Sequence, residues 1–532
     1  MRPPLKSISL LTTTLLLSLT PSLLPIWGRA QRHRPYILLA AAAQTPTTQN
    51  RQAEVDKLFQ EGVQQYRQGY YPKALATYQR VLEIRQQQND KAGIGQTLNN
   101  MGEVYIGLGQ PDKASEVLQQ ALAMRRELKD RKGEGETLDN LGSVYNFKDQ
   151  YDKALEVLQQ ALAIRREVKD RAGEGRTLRK IGVTYSYLKQ KPKALGIYNQ
   201  ALTIQQEVGD KFQIGYTFGA IGSLYSDLED YPRALEWFEK SLAAHRELGN
   251  RFAESNFLLL IGGTYFNQFK YDRALESYQQ ALPIFRELGL RGKEYIALFN
   301  IGNTYGAKGD KERAVEFLQQ SLAIQREIND SSFQLDTLTT LMINSSKAYD
   351  LYYKGLYSQA RAEAPHDIKL AQDVLQLSRE PKQPDKEAFA LTELGTAYKI
   401  LGDYDKAIEF LQQAANIARQ VKALSTESAA LSQLDSIYAS QGKNRQAIEL
   451  GQRQIEIARE QKNPSGEASD LNSLASTYYV LGEDEKGIEL YQQALAKARE
   501  INISQLSPSL QEDAWETLPA TLGGLSLGYS HL

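Results

Sequence analysis

A forty-residue period runs through most of this chain and constrains its fold more than any other feature. Glycine recurs at positions 62, 102, 142, 182, 222, 262 and 302, and from the second copy onward a tyrosine follows each glycine by three residues. A small residue follows each glycine by twelve residues. Such self-similarity is typical of repeat proteins, whose units cannot bury an apolar face alone and therefore stack. The pattern resumes at Gly395, which predicts one degenerate copy with an insertion near 335–381.

Each period carries two amphipathic helical patterns, here called helix A and helix B. In one copy the apolar positions predict helix A over 135–149 and helix B over 151–168. Gly142 and Ala154 present no bulk where the two helices would cross, so we expect a close approach there. Asp170 is the expected N-cap of the next helix A.

These residues resemble the tetratricopeptide repeat (TPR): a leucine, then Leu/Ile-Gly, then tyrosine on helix A, followed by alanine and an aromatic or aliphatic residue on helix B. The resemblance implies an all-α fold, a right-handed superhelix of antiparallel helix pairs. The family's closing proline is missing, which predicts a longer helix B and the forty-residue spacing found in kinesin light chains and LGN-type adaptors. The order of N-terminal segments also resembles the TPR half of bacterial TPR–CHAT proteins.

The organisation predicted from these patterns has six parts. A basic start and a long apolar run indicate a secretory signal peptide, with export to the periplasm or another extracytoplasmic space. The alternative is a membrane anchor at residues 8–27, and only a retained segment would make the membrane a partner. The predicted parts are a signal peptide at 1–43, a polar spacer at 44–52, about seven repeats at 53–334, the degenerate repeat at 335–387, three repeats at 388–501 and a cap with a loose tail at 502–532.

Composition excludes several classes of function. The 63 basic residues against 64 acidic ones argue against a nucleic-acid partner, which needs a basic face. Without cysteine there is no thiolate zinc site and no cysteine nucleophile. No spacing of His, Asp and Glu suggests a catalytic or metal site, so we expect no enzyme activity and no cofactor. The glycine pairs such as Gly133 and Gly135 are assigned to turns between repeats. His245 and Arg165 are expected on the solvated surface.

In the TPR family, helices A line the concave side of the superhelix and bind extended peptides or helices there. Mapping the groove-facing positions onto this chain gives three zones. We call them the amide zone, the basic zone and the apolar zone. Their residues are, in that order, Asn99, Asn100, Glu103, Glu136, Asp139 and Asn140; Arg176, Arg179 and Lys180; and Leu259, Leu260, Phe266, Ile296 and Phe299 with Asn300 and Asn303.

Two interpretations of these zones stay open. The charges of the first two zones can neutralise each other, Glu136 with Arg176 and Asp139 with Arg179, or they can set the polarity of a bound segment. The apolar zone can pack on itself, or it can form a binding hot spot.

The function predicted is a non-catalytic scaffold or adaptor that binds a protein or peptide in the groove. The alternative is the sensor or regulatory half of a TPR–CHAT-type system that acts on a separate effector. The sequence predicts no oligomeric state.

Overall fold

The computed structural model of the chain describes residues 48–330, 333–379 and 382–500, and the regular elements in this part are all α-helices. The helices are α1 (Thr48–Gln68), α2 (Tyr71–Gln87), α3 (Lys91–Gly107), α4 (Pro111–Glu127), α5 (Arg131–Phe147), α6 (Tyr151–Glu167), α7 (Arg171–Tyr187), α8 (Lys191–Glu207), α9 (Lys211–Ser226), α10 (Tyr231–Glu247), α11 (Arg251–Asn267), α12 (Tyr271–Glu287), α13 (Arg291–Lys308), α14 (Lys311–Glu327), α15 (Gln334–Ser345), α16 (Ala348–Tyr353), α17 (Tyr357–Arg379), α18 (Pro384–Leu401), α19 (Tyr404–Gln420), α20 (Leu424–Ser440), α21 (Asn444–Glu460), α22 (Pro464–Val480) and α23 (Asp484–Arg499). None of them is long and apolar enough to cross a bilayer. The predicted all-α solenoid of antiparallel helix pairs is confirmed.

In a representative repeat both helices have the same length, and both kinds of three-residue turn have the same conformation. Helices α5, α6 and α7 each contain 17 residues. The middle residue of each three-residue turn has a positive φ, as at Asp149 (56°) and Lys169 (58°). The N–H of Asp170 donates to the carbonyl of Arg165 at 2.8 Å, which closes the end of the helix in a Schellman-type turn. The forty-residue period therefore consists of two equal halves, and the longer spacing is not confined to helix B.

Helices A begin earlier than the sequence pattern predicts. Asp170 is confirmed as an N-cap, since its Oδ1 accepts from the N–H of Gly173 at 3.0 Å. Helix α5, however, begins at Arg131 and not at 135, so Gly133 and Gly135 lie inside the first turns of the helix. The assignment of these glycines to inter-repeat turns was wrong. A Cβ on Gly133 would lie 2.0 Å from the Asp130 carboxylate, so the site needs a residue without a side chain.

Helices A and B meet closely at the recurring glycine, as predicted. A Cβ on Gly142 would lie 2.5 Å from the Leu158 side chain. Leu158 itself is fully buried, together with Ala154 and Ala161 on the same face of α6. The glycine therefore provides the space into which the large apolar residue of helix B fits.

The described residues form two compact units. The N-terminal unit comprises residues 48–308 and 323–330, and the C-terminal unit comprises residues 309–322, 333–379 and 382–500. In the C-terminal unit the repeat pattern is interrupted, because α15 has only 12 residues and the 23-residue α17 contains Pro365. Helix α1 begins within the predicted spacer. The predicted signal peptide, the alternative anchor and the C-terminal tail beyond residue 500 lie outside the described residues.

A buried arginine near the C-terminal end of helix B joins each of the first three repeats to the next. Arg165 is only 1% exposed, so the expectation of a solvated side chain was wrong. Its Nη2 lies 2.9 Å from Asp139 Oδ2, and its Nη1 forms an ion pair with Asp170. Arg125 occupies the equivalent position one repeat earlier and donates to Thr137 Oγ1 at 3.0 Å. These side chains reach beneath the following helix A and bridge two repeats.

We predict that Arg165→Ala costs about 3–5 kcal/mol of local stability, because it leaves the buried carboxylate of Asp139 without its charged partner. The matched control is Arg166→Ala at the next position, whose side chain is 58% exposed and pairs with Glu174. That change should cost about 0–1 kcal/mol. Amide hydrogen exchange across α5–α7 measures both effects. Equal losses of protection in the two variants would contradict the assigned role of Arg165.

Candidate functional site

The inner wall of the N-terminal unit consists of helices A, because consecutive helices A contact each other from α1 through α9 and again between α11 and α13. Residues that differ from repeat to repeat at the same position of this wall are candidates for function. At one such position the chain has Glu136, Arg176, Tyr216, Asn256 and Ile296 in succession. The wall therefore changes from acidic through basic to apolar along the unit.

The amide zone forms hydrogen bonds between neighbouring repeats. Asn140 Nδ2 donates to Asn99 Oδ1 at 3.2 Å and to Glu103 Oε1 at 3.1 Å. Asn100 Nδ2 donates to the Tyr78 hydroxyl at 3.2 Å. Both Asn99 and Asn140 are buried, so these amides hold α3 and α5 together.

The carboxylates of the amide zone do not pair with the basic zone as the sequence suggested. Asp139 is buried, and it accepts from the Thr177 hydroxyl at 2.6 Å as well as from Arg165. Glu136 lies 3.2 Å from Arg125 Nη1, so its partner is Arg125 and not Arg176. The pairs Asp139–Arg179 and Glu136–Arg176 are therefore wrong, because arginines from helices B approach these carboxylates more closely. Their recurrence at 85, 125 and 165 was the sequence signal that could have revealed this.

The basic zone has polar contacts, but none of its three cations forms an ion pair within the described residues. Lys180 Nζ donates to the carbonyl of Asp139 at 3.0 Å and to Asn140 Oδ1 at 2.9 Å. Arg179 Nε donates to Gln213 Oε1 at 3.3 Å. The Nε of Arg176 is buried and has no hydrogen-bond partner.

Burial shifts the pKa of Lys180 in the basic zone and of Glu103 in the amide zone. It lowers the pKa of Lys180 to about 8. The negative charges of Asp139 and Glu103 act to raise this pKa, whereas the positive charges of Arg179 and Arg176 lower it further. Burial also raises the pKa of the Glu103 carboxyl, and the charge of Glu136 adds to that rise. Ionised groups on the inner wall are thus poorly hydrated, so a charged ligand group would interact with them strongly.

The first repeat contacts the sixth, which sequence reasoning did not foresee. The ring of Tyr71 lies 4.6 Å from the ring of Phe252, centroid to centroid. The Tyr70 hydroxyl donates to Glu287 Oε1 at 2.9 Å across a separation of 217 residues. Repeats in a solenoid normally contact only their neighbours. We call this contact the closure; it joins the α1–α2 turn and the first residue of α2 to α11 and α12.

The apolar zone lies on α11 and α13. The packing positions there are filled by Leu258 and Ile261, which are buried. Leu260 is 42% exposed, whereas Leu259 and Phe266 are half-buried. The ring of Phe266 lies 5.6 Å from that of Tyr271. Four further residues of this wall are half-buried: Ile296, Phe299, Asn300 and Asn303.

His245 is fully buried, so its expected surface position was wrong. Its ring stacks on Phe257 with 5.5 Å between centroids, and its Nδ1 lies 3.3 Å from Asn250 Nδ2. Burial, together with the charge of Arg179, lowers the pKa of His245 to about 4. His245 occupies the same position in its repeat as Arg165 does two repeats earlier. In the repeat between them, Gln205 occupies this position.

The C-terminal unit has an acidic pair that sequence reasoning also missed. Burial raises the pKa of Asp470 on α22 to about 7, and the charge of Asp435 on α20 contributes. Asp435 stands where other repeats have glycine, which was the available signal. Within the described residues, no group of three or more His, Asp and Glu residues could hold a metal ion.

Comparison with known proteins identifies the repeat. A family model described as Tetratricopeptide repeat matches residues 58–127, 134–207, 192–247, 213–287 and 253–327. Two further models with the same description match residues 390–421 and 430–465. Among curated proteins, no sequence matches this chain.

Solved structures align with this chain at low sequence identity. The apo form of the quorum sensor NprR from B. thuringiensis is 18% identical, with 70% of this chain and 99% of that chain covered and a TM-score of 0.43. A Rap protein complexed with Competence and Sporulation Factor is 17% identical, with the same coverage and the same TM-score of 0.43. The TPR-like repeats of a Podosopora anserina kinesin light chain are 18% identical, covering 39% of this chain and 96% of that chain with a TM-score of 0.32.

We predict that Phe252→Ala combined with Glu287→Gln opens the closure, because it removes the ring contact with Tyr71 and weakens the acceptor for Tyr70. Amide exchange should then rise in α1 and α2 and stay unchanged in α18–α23. The control is Phe269→Ala, which removes a ring that is 71% exposed. Unchanged exchange in α1 and α2 of the double variant would show that the closure does not hold the first repeat.

We predict that acidification destabilises the region around α9–α11. The folded pKa of His245 is about 4 against 6.5 for the free side chain, so the unfolded chain binds more protons between these values. Stability is therefore complete above about pH 6.5 and falls by up to about 3 kcal/mol as the pH drops towards 4. His245→Gln, which copies Gln205 of the preceding repeat, should flatten this dependence. Urea unfolding between pH 4 and 7 measures it; an unchanged slope in the variant would contradict the prediction.

Proposed function

This chain belongs to the tetratricopeptide repeat family, and on that premise we propose that it is a non-catalytic scaffold. It binds a segment of another protein on the inner wall formed by helices A. Catalysis is not part of the proposal, since TPR domains generally act as interaction modules.

The observation that carries this proposal is the surplus of apolar residues on α11. Packing of α11 uses Leu258 and Ile261, whereas Leu260 on the same helix remains 42% exposed. An exposed leucine beside half-buried aromatic and aliphatic residues costs solubility and adds little to packing. Such a patch is typical of a binding site whose core excludes water when the partner arrives.

The surroundings of the apolar zone support a chain segment as the ligand. Three asparagines on α11 and α13, the helices that carry its apolar residues, are half-buried: Asn267, Asn300 and Asn303. Amide side chains offer both donors and acceptors, which suits the backbone N–H and C=O groups of a bound segment. An apolar centre with a polar rim is the usual composition of a protein interface.

We predict that Phe266→Ser combined with Phe299→Ser abolishes partner capture without unfolding the array. Immobilised wild type, the double variant and the control Leu128→Ser are each incubated with the same cell-envelope extract. Leu128 is 42% exposed, as is Leu260, but it is the C-cap residue of the helix B α4. Proteins retained by wild type and control should be lost from the double variant, with amide exchange confirming its fold. Retention of the same proteins by the double variant would contradict the proposal.

The captured proteins also distinguish the two kinds of TPR protein considered. Several components of one assembly favour a scaffold, whereas a lone peptidase-like partner favours the regulatory half of a TPR–CHAT-type system.

Export remains part of the proposal, based on the N-terminal sequence alone. N-terminal sequencing of the mature protein tests it, and an intact residue 1 would contradict cleavage.

A further inference from the structure

We propose that the turn between α16 and α17 docks on an anionic lipid surface, which gives the C-terminal unit a membrane-facing side. We call residues 347–361 the tyrosine segment; it belongs to the degenerate repeat and contains Tyr349, Tyr352, Tyr353 and Tyr357. The apolar zone on α11 and α13 takes no part in this docking, which goes beyond the proposed function. The docking also needs no residue of the N-terminal segment that could act as an anchor.

Alanines fasten the tyrosine segment to the C-terminal unit. Ala348, Ala360 and Ala364 are buried in one cluster with Ile400 of α18. Outside this cluster the segment has large exposed residues: Tyr353, Leu356 and Tyr357. The two tyrosines are 60% and 56% exposed, so more than half of each residue faces solvent and adds little to the packing of the unit.

The turn itself is ordered and protrudes. Gly355 has a φ of 76°, and its N–H donates to the Tyr352 carbonyl at 3.0 Å. The N–H of Leu356 donates to the Leu351 carbonyl at 3.0 Å, which completes a Schellman-type end of α16. A Cβ at Gly355 would meet no atom within 4 Å, so the turn stands clear of its surroundings. Small ligands bind in concave sites, whereas a flat bilayer surface can accept a protruding turn.

Inner tyrosines hold the exposed rings beside the turn. The ring of Tyr353 lies 4.5 Å from that of Tyr349, and the ring of Tyr357 lies 5.2 Å from that of Tyr352, centroid to centroid. Tyr349 and Tyr352 are half-buried. The exposed rings therefore lose little conformational freedom when they dock, which favours association.

The charges of the tyrosine segment are complementary to an anionic surface. Lys347, Lys354 and Arg361 are exposed, and none of them forms an ion pair within the described residues. The one acid of the segment, Asp350, pairs with Lys311 of α14 at 2.5 Å. Residues 347–361 thus present three cations and no carboxylate that lacks a charged partner.

An excess of cations remains when the surroundings of the segment are included. Two acids of adjoining helices have no ion pair in the part of the chain that the structure describes: Glu363 on α17 and Asp405 on α19. Glu363 lies six residues beyond Tyr357 and therefore on a different side of α17. Asp367 is buried, and it accepts from the Ser346 hydroxyl at 2.9 Å. The three exposed cations thus outnumber the two acids that solvent reaches.

Residues of these types are typical of protein surfaces that touch lipid. A tyrosine ring has an apolar body and a polar hydroxyl, so it lies at the level of the headgroups. A leucine reaches the boundary of the acyl chains, and lysines are attracted by anionic lipids. The centre of a protein–protein interface, by contrast, is depleted of lysine. An anionic bilayer therefore fits the tyrosine segment better than a protein partner does.

The experiment follows one fluorescent label on the full chain. The chain has no cysteine, so Ser358→Cys provides a unique thiol beside the turn for an environment-sensitive dye. Ser425→Cys is the matched control, because both serines are exposed and each is the second residue of its helix. Helices α17 and α20 begin at opposite ends of the antiparallel helix pairs, so the control label lies away from the turn.

The labelled chains are mixed with vesicles of phosphatidylcholine alone or of equal parts phosphatidylcholine and phosphatidylglycerol. With the anionic vesicles we expect the emission of the label at 358 to shift to shorter wavelength, because the dye leaves water, and the label at 425 to stay unchanged. Uncharged vesicles should produce this shift only at a lipid concentration at least about tenfold higher, and added salt should weaken the effect of the anionic vesicles.

Tyr353→Ser combined with Leu356→Ser, made in the chain labelled at 358, should remove the shift. Both residues are exposed, so the fold should be kept, and amide exchange across α16–α18 checks it.

Lys347→Gln combined with Lys354→Gln should raise the concentration of anionic vesicles needed for the shift at least about tenfold. The charge-matched control, Lys422→Gln combined with Lys462→Gln, removes two exposed lysines from the turns that precede α20 and α22 and should leave that concentration unchanged.

Three results would overturn the inference: equal shifts with the charged and the uncharged vesicles, equal shifts of the labels at 358 and 425, or an unchanged shift in the Tyr353 and Leu356 variant. A shift that needs no vesicles and grows with protein concentration would assign the segment to a second copy of this chain. A shift with free glycerol phosphate would assign it to a soluble anion, and either result would also contradict lipid docking.

The label reports the turn itself, so residues 1–43 cannot produce the expected pattern even where they hold the chain to a vesicle. Partner capture is measured separately with the apolar-zone variant. Failure of the proposed function therefore appears in the capture experiment, and failure of lipid docking appears only with the vesicles.

Discussion

The fit of Leu158 against Gly142 is the contact on which the rest of the structure depends. Because the glycine has no side chain, helix B can approach helix A until a leucine, tyrosine or phenylalanine fills the space, as Tyr198 does against Gly182 and Phe238 against Gly222. Repeating this contact with helices of one length and turns of one conformation stacks the pairs in a regular array. Helices A thereby come together on one wall, where side chains that packing does not require can face a ligand.

The sequence predicted the parts of the fold that depend on periodicity. The helix pairs, the close approach at Gly142 and the cap at Asp170 all followed from spacing. Each repeat needs the same helix contact and the same helix cap, and it uses the same residue types for them. Helix starts were missed because Gly133 was interpreted as a turn residue, although its missing side chain makes room for Asp130. A glycine that avoids a clash and a glycine that bends the chain look alike in sequence.

The helices that carry the mapped residues were predictable, but the partners of those residues were not. The residues of the amide and basic zones lie on helices A, yet Asn99, Asp139 and Asn140 are buried and the ionic contacts differ from those expected. The reason is that equivalent positions on adjacent helices A were compared, whereas Arg125 and Arg165 enter from helices B. Burial of His245 was missed for the same reason, since the residue type changes at that position from arginine through glutamine to histidine. The residue type at this position can thus change from repeat to repeat while the position stays buried.

The closure has a consequence for synthesis. Tyr71 leaves the ribosome about 180 residues before Phe252, the residue whose ring covers it. At about 5–20 residues per second, the tyrosine waits roughly 10–40 s for its partner, although the repeats between them can already stack. During that interval the nascent array is an open arc with an aromatic face uncovered at its leading end. A chaperone that holds this face, or a second nascent chain that docks there, would act before the unit is complete.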